Sequence, residues 1–124
     1  MSAHNQRFLS LVGDTRNRIK EINVDQARTL LEQDSPPALI DVREESEYAA
    51  AHLPGAKHMG KGVIERDIEK QFPDTDTHMI LYCGGGYRSA LAADNLQKMG
   101  YTNVISMDGG FKGWVASGLP VTTD

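Results

Sequence analysis

The feature that most constrains the fold is a short apolar run that leads through a glycine turn into a helix. Residues 79–82 are Met-Ile-Leu-Tyr, a run typical of a strand buried inside a sheet. Cys83 and three consecutive glycines follow it, and residues 87–99 have the alanine-rich composition of a helix. Because a strand, a tight turn and a helix in succession form the repeating unit of parallel α/β folds, we expect that fold class.

The rest of the chain repeats this alternation of short apolar runs and helical segments. Asn23 and Gln26 have the spacing of a capping box at the start of one helix. We expect residues 1–20 to form an N-terminal helical extension and residues 21–124 to form a single domain. The extension is expected to dock on its own domain, and a dimer arm is the alternative. Strands are predicted at residues 38–42 and 104–107, and helices over residues 5–19, 23–32, 45–51 and 62–72 and after Gly109.

Cys83 is the only cysteine in the chain, and it stands in the turn between strand and helix. Glycine adopts positive φ without strain, so the N–H groups of Gly84, Gly85 and Gly86 are able to curl toward one point as an anion-binding nest. The N–H groups of the first helical turn, including that of Ser89, point into the same space. A thiol in such a cradle is held as a nucleophilic thiolate. We therefore expect Cys83 to be catalytic rather than a buried thiol that fills space.

Arg88 lies in the first turn of the predicted helix, where a cation opposes the helix dipole. A purely structural role gives no reason for this placement. A functional role does, because a guanidinium binds anions through parallel hydrogen bonds. We therefore expect Arg88 to face the thiolate or an anionic substrate across the loop, and Tyr87 to shape one wall of the site.

Five short motifs, in the right order, resemble those of the rhodanese family. The loop matches the family's C-x-x-G-x-R pattern through Cys83, Gly86 and Arg88. The resemblance covers about residues 22–120 and is to a single-domain rhodanese, a thiosulfate-type sulfurtransferase. It implies a sheet of about five parallel strands flanked by helices, with the N-terminal helix as an addition. The other motifs are Asp41-Val42-Arg43-Glu44, Glu47-Tyr48, His52-Leu53-Pro54-Gly55-Ala56, and Asp108-Gly109-Gly110 with Trp114.

The resemblance also implies a reaction in two steps. The Cys83 thiolate takes the outer sulfur of a small anionic donor such as thiosulfate, and a thiol or cyanide then accepts that sulfur from the Cys83 persulfide. The N–H groups from Gly84 to Ser89 would stabilise the persulfide as an oxyanion hole does, and Arg88 would hold the donor's sulfonate. A protein persulfide is a further candidate donor, and we expect no cofactor.

Three alternatives stay open on the sequence. The phosphatases that share the rhodanese fold have H-C-x5-R, whereas Arg88 here is one residue closer to the cysteine and Tyr82 precedes it. A sulfur-carrier module would take sulfur from a partner protein and turn over free thiosulfate poorly. The neutral start Cys83-Gly84-Gly85-Gly86 resembles the loops of mercaptopyruvate users, so mercaptopyruvate stands beside thiosulfate as a donor.

Three further polar side chains are expected to have structural roles. The family's pattern pairs Arg43 with Glu47 across one helical turn, and a place near the substrate is the alternative for Arg43. Asp108 is expected to cap the helix that follows it. His52 stands beside a turn and is expected to satisfy backbone groups rather than act as a general base.

Composition disfavours several classes of function. A net charge of −4 without a basic stripe argues against nucleic acid as a partner. No apolar segment approaches the ~20 residues of a membrane span, and no signal-type apolar core follows the polar N-terminus, so we expect no membrane partner and a cytoplasmic protein. One cysteine excludes an internal disulfide. The histidines and Cys83 lack the paired spacing of a metal site, and no nucleotide-binding glycine motif occurs.

Overall fold

The structure, a computed structural model, describes residues 4–124. One five-stranded sheet, with every strand pair parallel, forms its centre in the order β1-β5-β4-β2-β3. The predicted parallel α/β fold with an added N-terminal helix is therefore confirmed. The strands are β1 (Lys20–Ile22), β2 (Ala38–Asp41), β3 (Lys57–His58), β4 (Met79–Tyr82) and β5 (Val104–Met107). The helices are α1 (Gln6–Arg16), α2 (Val24–Leu31), α3 (Glu45–Ala50), α4 (Ile64–Gln71), α5 (Tyr87–Lys98) and α6 (Gly110–Ala116).

β4 lies at the centre of the sheet between β2 and β5. Every residue of β4 is buried, as expected for a strand covered by helices on both faces. Leu81 packs into a core cluster that includes Leu96 and joins the sheet to α4 and α5. Ile80 packs into a second cluster that includes Trp114 and joins the sheet to α2 and α6. The carboxyl end of β4 is thus held between two close-packed layers.

Two strands, β1 and β3, have no counterpart in the sequence pattern. The helix expected over residues 5–19 ends at Arg16, and a separate strand follows in which Ile22 pairs with Met107 of β5. β3 pairs with β2 through Lys57 and His58 alone. Runs this short carry no measurable periodicity, so their pairing with neighbours defines them as strands.

α1 docks on its own domain, against α5. Val12 and Thr15 of α1 are buried. Just beyond the helix, Arg18 binds both carboxylate oxygens of the buried Asp94 on α5, at 3.3 and 2.9 Å, and lowers the pKa of that carboxyl. The Gln97 amide donates to the Arg18 carbonyl at 2.9 Å. Apolar burial and a charge pair with one buried partner therefore fix the position of α1.

Candidate active site

Cys83 follows β4 directly, at the edge of the sheet where ligand sites of parallel α/β folds lie. Gly86 has a φ of 105°, which only glycine adopts readily, and its N–H donates to Cys83 Sγ at 3.1 Å. α5 begins at the next residue, Tyr87, so its unpaired first-turn N–H groups start beside the sulfur. The backbone around the cysteine is thus arranged to bind an anionic sulfur.

Two buried hydroxyl groups lie behind the sulfur. The Cys83 thiol donates to Ser89 Oγ at 3.5 Å, and the Oγ atoms of Ser89 and Ser106 are 2.8 Å apart. Cys83 is only 1% exposed, and both serines are fully buried. Because a serine hydroxyl rotates, it is able to accept from a thiol and to donate to a thiolate. The pair therefore suits a sulfur atom that changes between neutral and anionic forms.

The loop rests on the start of α6. The Phe111 N–H donates to the Cys83 carbonyl at 2.8 Å, and the Lys112 N–H donates to the Gly84 carbonyl at 3.0 Å. These hydrogen bonds occupy the carbonyl groups of Cys83 and Gly84 and fix the peptide groups to which they belong. α6 therefore sets the orientation of the peptide groups around the sulfur.

Asp108 does not cap α6, so that prediction is wrong. The N-cap residue is Gly109, and no side chain accepts a hydrogen bond from the helix there. Gly109 has a positive φ of 91°, and this sharp turn separates Asp108 from the first turn of the helix. The Asp108 carboxylate is 60% exposed and lies 3.6 Å from Arg16 Nη2.

Arg88 is paired with Glu47 of α3. Its Nη1 and Nη2 atoms donate to the two carboxylate oxygens at 2.8 and 3.2 Å. This contact lowers the pKa of Glu47 to about 2 and raises that of Arg88, so both side chains are charged at neutral pH. The two side chains are 34% and 37% exposed, and both line the cavity that contains Cys83. Arg88 thus reaches the cavity with an anionic partner already bound.

Glu47→Gln is expected to strengthen the binding of a small anion in this cavity about fivefold, because the anion no longer competes with the carboxylate for Arg88. Titration calorimetry with sulfate would measure the dissociation constant. Glu45→Gln is the matched control, since it removes a negative charge from the same helix and leaves the Arg88 pair intact. An unchanged or weaker affinity in Glu47→Gln alone would show instead that Glu47 holds Arg88 in position for the anion.

Arg43 pairs with Asp41, so the predicted pair with Glu47 is wrong. The Arg43 Nη2 atom donates to Asp41 Oδ2 at 2.8 Å and to the Ala51 carbonyl at 2.7 Å. α3 begins only at Glu45, so residues 43 and 47 do not share a helical turn that would bring their side chains together. Arg43 is buried and does not line the Cys83 cavity.

His52 makes contacts with the backbone, as expected. Its Nδ1 atom lies 2.8 Å from the Tyr48 carbonyl, and its ring stacks on the Tyr48 ring with centroids 3.7 Å apart. Its main chain forms an antiparallel bridge with Thr122. The imidazole is 2% exposed, so it holds the turn after α3 and does not line the Cys83 cavity.

Cys83 lines a cavity of about 440 Å³. Gly86 and Ser89 contact the sulfur but do not line this space. Glu47 belongs to the Glu47-Tyr48 motif, but the sequence pattern predicted it only as a partner for Arg43. The predicted loop residues in the lining are Gly84, Gly85, Tyr87 and Arg88, and the lining residues that sequence reasoning missed are His4, Phe8, Glu47 and Lys112.

A larger groove, of about 830 Å³, lies among α3, β3 and α4 and does not include Cys83. Within residues 4–124 no group of His, Cys, Asp and Glu side chains is arranged to hold a metal ion. Across the same range, every helix is too short or too polar to cross a bilayer.

The fold and this site define a class of protein, a parallel α/β domain whose single cysteine is held in a backbone cradle at the carboxyl edge of the sheet. Residues 23–117 match the family model for the rhodanese-like domain. The chain belongs to the family of rhodanese-like domains. The matched range contains the Cys83 loop and α6, and it begins after α1.

Curated relatives carry sulfur-transfer names. The thiosulfate sulfurtransferase GlpE of Haemophilus influenzae is 36% identical over 104 residues, which cover 84% of this chain and 95% of that protein. A Bacillus subtilis protein named "Putative sulfur carrier protein YrkF" is 30% identical over 101 residues. That alignment covers 82% of this chain and 54% of YrkF, so the chain spans about half the length of that relative.

Two solved structures resemble nearly the whole chain. A Rhodopseudomonas palustris protein of unknown function, described as a possible tyrosine phosphatase, has a TM-score of 0.85 at 28% identity and covers 98% of this chain and 99% of that one. The 30 kDa polysulfide-sulfur transferase homodimer of Wolinella succinogenes has a TM-score of 0.79 at 27% identity. This second match covers 94% of this chain and 87% of that one.

Proposed function

We propose that this protein is a sulfurtransferase that moves a sulfane sulfur from thiosulfate, or a related donor, to a thiol or cyanide through a persulfide on Cys83. The observation that carries the proposal is the N–H of Gly86 bonded to Cys83 Sγ at 3.1 Å, in a cavity that also contains Arg88 and Lys112. A sulfur atom held by backbone donors next to cations is stabilised as an anion. The sulfurtransferase names of its relatives support the same chemistry.

In the first step the Cys83 thiolate attacks the outer sulfur of thiosulfate. A new S–S bond forms to Cys83 Sγ, the S–S bond of the donor breaks, and sulfite leaves with the electron pair. In the second step a cyanide or thiolate attacks the outer sulfur of the persulfide and restores the Cys83 thiolate. Such a ping-pong scheme needs no general base once Cys83 and the acceptor are ionised, because neither step then moves a proton.

The loop supplies the stabilisation that the persulfide needs. The terminal sulfur of a Cys83 persulfide would lie in the cavity, close to the N–H groups of the loop residues that line it, Gly84, Gly85, Tyr87 and Arg88. These donors are fixed by the start of α5 and by the hydrogen bonds to α6, so they need no reorganisation during the reaction. Arg88 and Tyr87 both line the cavity, where Arg88 would hold the anionic end of the donor and the Tyr87 ring would shape the wall.

Two observations bear on the identity of the donor. Arg88 and Lys112 favour an anion with a sulfonate or carboxylate group. The glycines at positions 84–86 add no side chain of their own, so mercaptopyruvate fits beside thiosulfate. Because Cys83 is the single cysteine, no second thiol of the chain is present to take the sulfur, so the acceptor is external. The lack of a disulfide also agrees with a reducing compartment such as the cytoplasm.

Two alternatives have specific support. The relation to YrkF favours a sulfur carrier that receives sulfur from a partner protein. The description of the Rhodopseudomonas palustris structure favours a phosphatase. Against a phosphatase, Gly86 N–H already lies 3.1 Å from the sulfur, and the loop from Cys83 to Arg88 is one residue shorter than the H-C-x5-R loop. This smaller ring of donors suits one sulfur atom better than a tetrahedral phosphate.

The deciding experiment measures intact mass after incubation with thiosulfate. The native protein is expected to gain the mass of one sulfur atom and to lose it on addition of cyanide, whereas Cys83→Ser gains none. If the native protein gains nothing from thiosulfate or mercaptopyruvate but gains sulfur from a protein persulfide, the carrier function holds. Hydrolysis of an aryl phosphate by the native protein but not by Cys83→Ser, with no sulfur gained from any donor, would establish the phosphatase instead.

A further inference from the structure

An aromatic cluster joins the N-terminal helix to the Cys83 loop. The His4 ring lies 4.4 Å from the Tyr87 ring and 5.2 Å from the Phe8 ring, and the Phe8 and Tyr87 rings are 6.0 Å apart. The Arg16 guanidinium lies 5.1 Å from the centre of the Tyr87 ring. Rings at these separations attract one another, and a cation adds to the attraction. α1 and His4 are thereby attached to the loop that carries the nucleophile.

This contact makes α1 a wall of the cavity. His4 and Phe8 both line the space that contains Cys83, although they precede the family-matched range of residues 23–117. The wall is held in place, because Val12 is buried and Arg18 is bound to Asp94 just beyond the helix. The N-terminal extension therefore contributes surface to the site that the family-matched part of the chain does not supply.

The lining of the completed cavity combines two kinds of chemistry. His4, Phe8 and Tyr87 present aromatic rings, whereas Arg88 and Lys112 present two cations against the single carboxylate of Glu47. A volume of about 440 Å³ lies within the ~300–1,000 Å³ of sites that bind small organic molecules. Thiosulfate is a compact inorganic anion without apolar surface, so it would engage the cations and leave the aromatic side unused.

We propose that α1 adapts this site to organic sulfur donors, in which an anionic thiosulfonate head is joined to an apolar and preferably aromatic body. The inference rests on the proposed sulfur transfer through Cys83 and names the class of donor for that same site. The head would lie toward Arg88 and Lys112 with its outer sulfur at Cys83, and the body would lie against Phe8 and His4. Aromatic residues at a ligand wall favour such bodies because ring contacts add to the burial of apolar area.

The reaction with such a donor balances without any further reagent. The Cys83 thiolate attacks the outer sulfur of R–SO₂–S⁻ and forms the Cys83 persulfide. The S–S bond of the donor breaks, and the sulfinate R–SO₂⁻ leaves with the electron pair. Two negative charges enter the step and two leave it, one on the persulfide and one on the sulfinate. The sulfinate takes the place that sulfite takes when thiosulfate is the donor.

The test compares benzenethiosulfonate with methanethiosulfonate, which share a reacting head and differ only in the body. The measured quantity is the ratio of kcat/KM for the phenyl donor to that for the methyl donor, with cyanide as acceptor. Phe8→Ala is expected to lower this ratio about fivefold relative to the native protein, and His4→Ala to lower it by a smaller factor. Intrinsic reactivity of the two donors and any loss of folded protein cancel when ratios are compared between variants.

Two further variants sharpen the comparison. Phe8→Leu keeps an apolar side chain that packs at the same position and is expected to retain an intermediate ratio. Leu11→Ala truncates an α1 side chain that is 52% exposed and outside the cavity, and it is expected to keep the native ratio. A native ratio in Phe8→Ala, with transfer to cyanide intact, would overturn the inference and leave the sulfurtransferase function standing. Absence of a Cys83 persulfide with every donor would overturn both.

Discussion

Asp41→Ala is expected to lower the free energy of unfolding by about 3–5 kcal/mol, the effect of leaving a buried cation without its partner. Asp41 is fully buried, and its carboxylate accepts from Arg43 Nη2 at 2.8 Å, from Arg43 Nε at 3.1 Å and from the Tyr82 hydroxyl at 2.8 Å. Burial raises the pKa of Tyr82, so its hydroxyl stays protonated and donates. Removal of the carboxylate therefore leaves the Arg43 charge without its anion and the Tyr82 hydroxyl without its acceptor, in the core between β2 and β4.

Urea unfolding followed by circular dichroism would measure this loss as a lower midpoint with an unchanged slope. Asp67→Ala is the control, because the Arg66–Asp67 pair is exposed and its removal is expected to leave the midpoint unchanged. The double variant Asp41→Leu/Arg43→Met should recover most of the lost stability, since it removes both charges together. If Asp41→Ala unfolds at the same urea concentration as Asp67→Ala, the buried pair does not stabilise the sheet.

The central part of the fold could be predicted because its signals are local. The run at residues 79–82, the three glycines and the alanine-rich segment are adjacent in sequence, and they became β4, the loop and α5. The capping box at Asn23 was predicted from spacing alone, and the Gln26 N–H does donate to Asn23 Oδ1 at 2.8 Å. Each of these features depends on residues within a few positions of one another.

The partners of the charged side chains could not be predicted in the same way. Arg88 binds Glu47, 41 positions away, because α3 and the Cys83 loop meet at the same edge of the sheet. Arg43 was assigned to Glu47 through helical spacing, but it lies before the helix begins and turns back to Asp41. A spacing rule applies only inside the element for which it was derived, and ion pairs between elements follow from the fold.

The part of the site that comes from the N-terminal extension could not be predicted from local patterns either. The apolar spacing of residues 5–19 predicted a helix, and nothing in that pattern indicates that Phe8 would contact Tyr87 rather than the core. His4 lies before the first residue of the helix and belongs to none of the sequence motifs. Division of the chain into residues 1–20 and 21–124 stays our proposal, with the added point that the first part lines the site of the second.

Gly110→Ala is expected to slow the proposed formation of a persulfide on Cys83 at least about 100-fold, because it displaces the loop that holds the sulfur. A Cβ atom at Gly110 would lie 2.8 Å from the carbonyl carbon and oxygen of Gly84 and would press on the Cys83 carbonyl as well. These are backbone atoms that no side-chain rotation relieves, so the loop must move away from α6. The hydrogen bonds from Phe111 N–H to Cys83 and from Lys112 N–H to Gly84, at 2.8 and 3.0 Å, would then break.

The matched control separates this clash from the strain of a positive φ. Gly118 has a φ of 78°, and a Cβ there meets no atom within 4 Å. Gly118→Ala therefore carries the strain of a left-handed backbone, about 1–2 kcal/mol, without a clash against backbone atoms. Single-turnover sulfur loading by intact mass, with thermal unfolding in parallel, should show a slow reaction for Gly110→Ala and a native rate for Gly118→Ala. Equal rates in the two variants would mean that the loop holds its shape without α6. If only Gly110→Ala loads sulfur slowly, and its protein is still folded, then α6 controls the orientation of the sulfur-binding N–H groups.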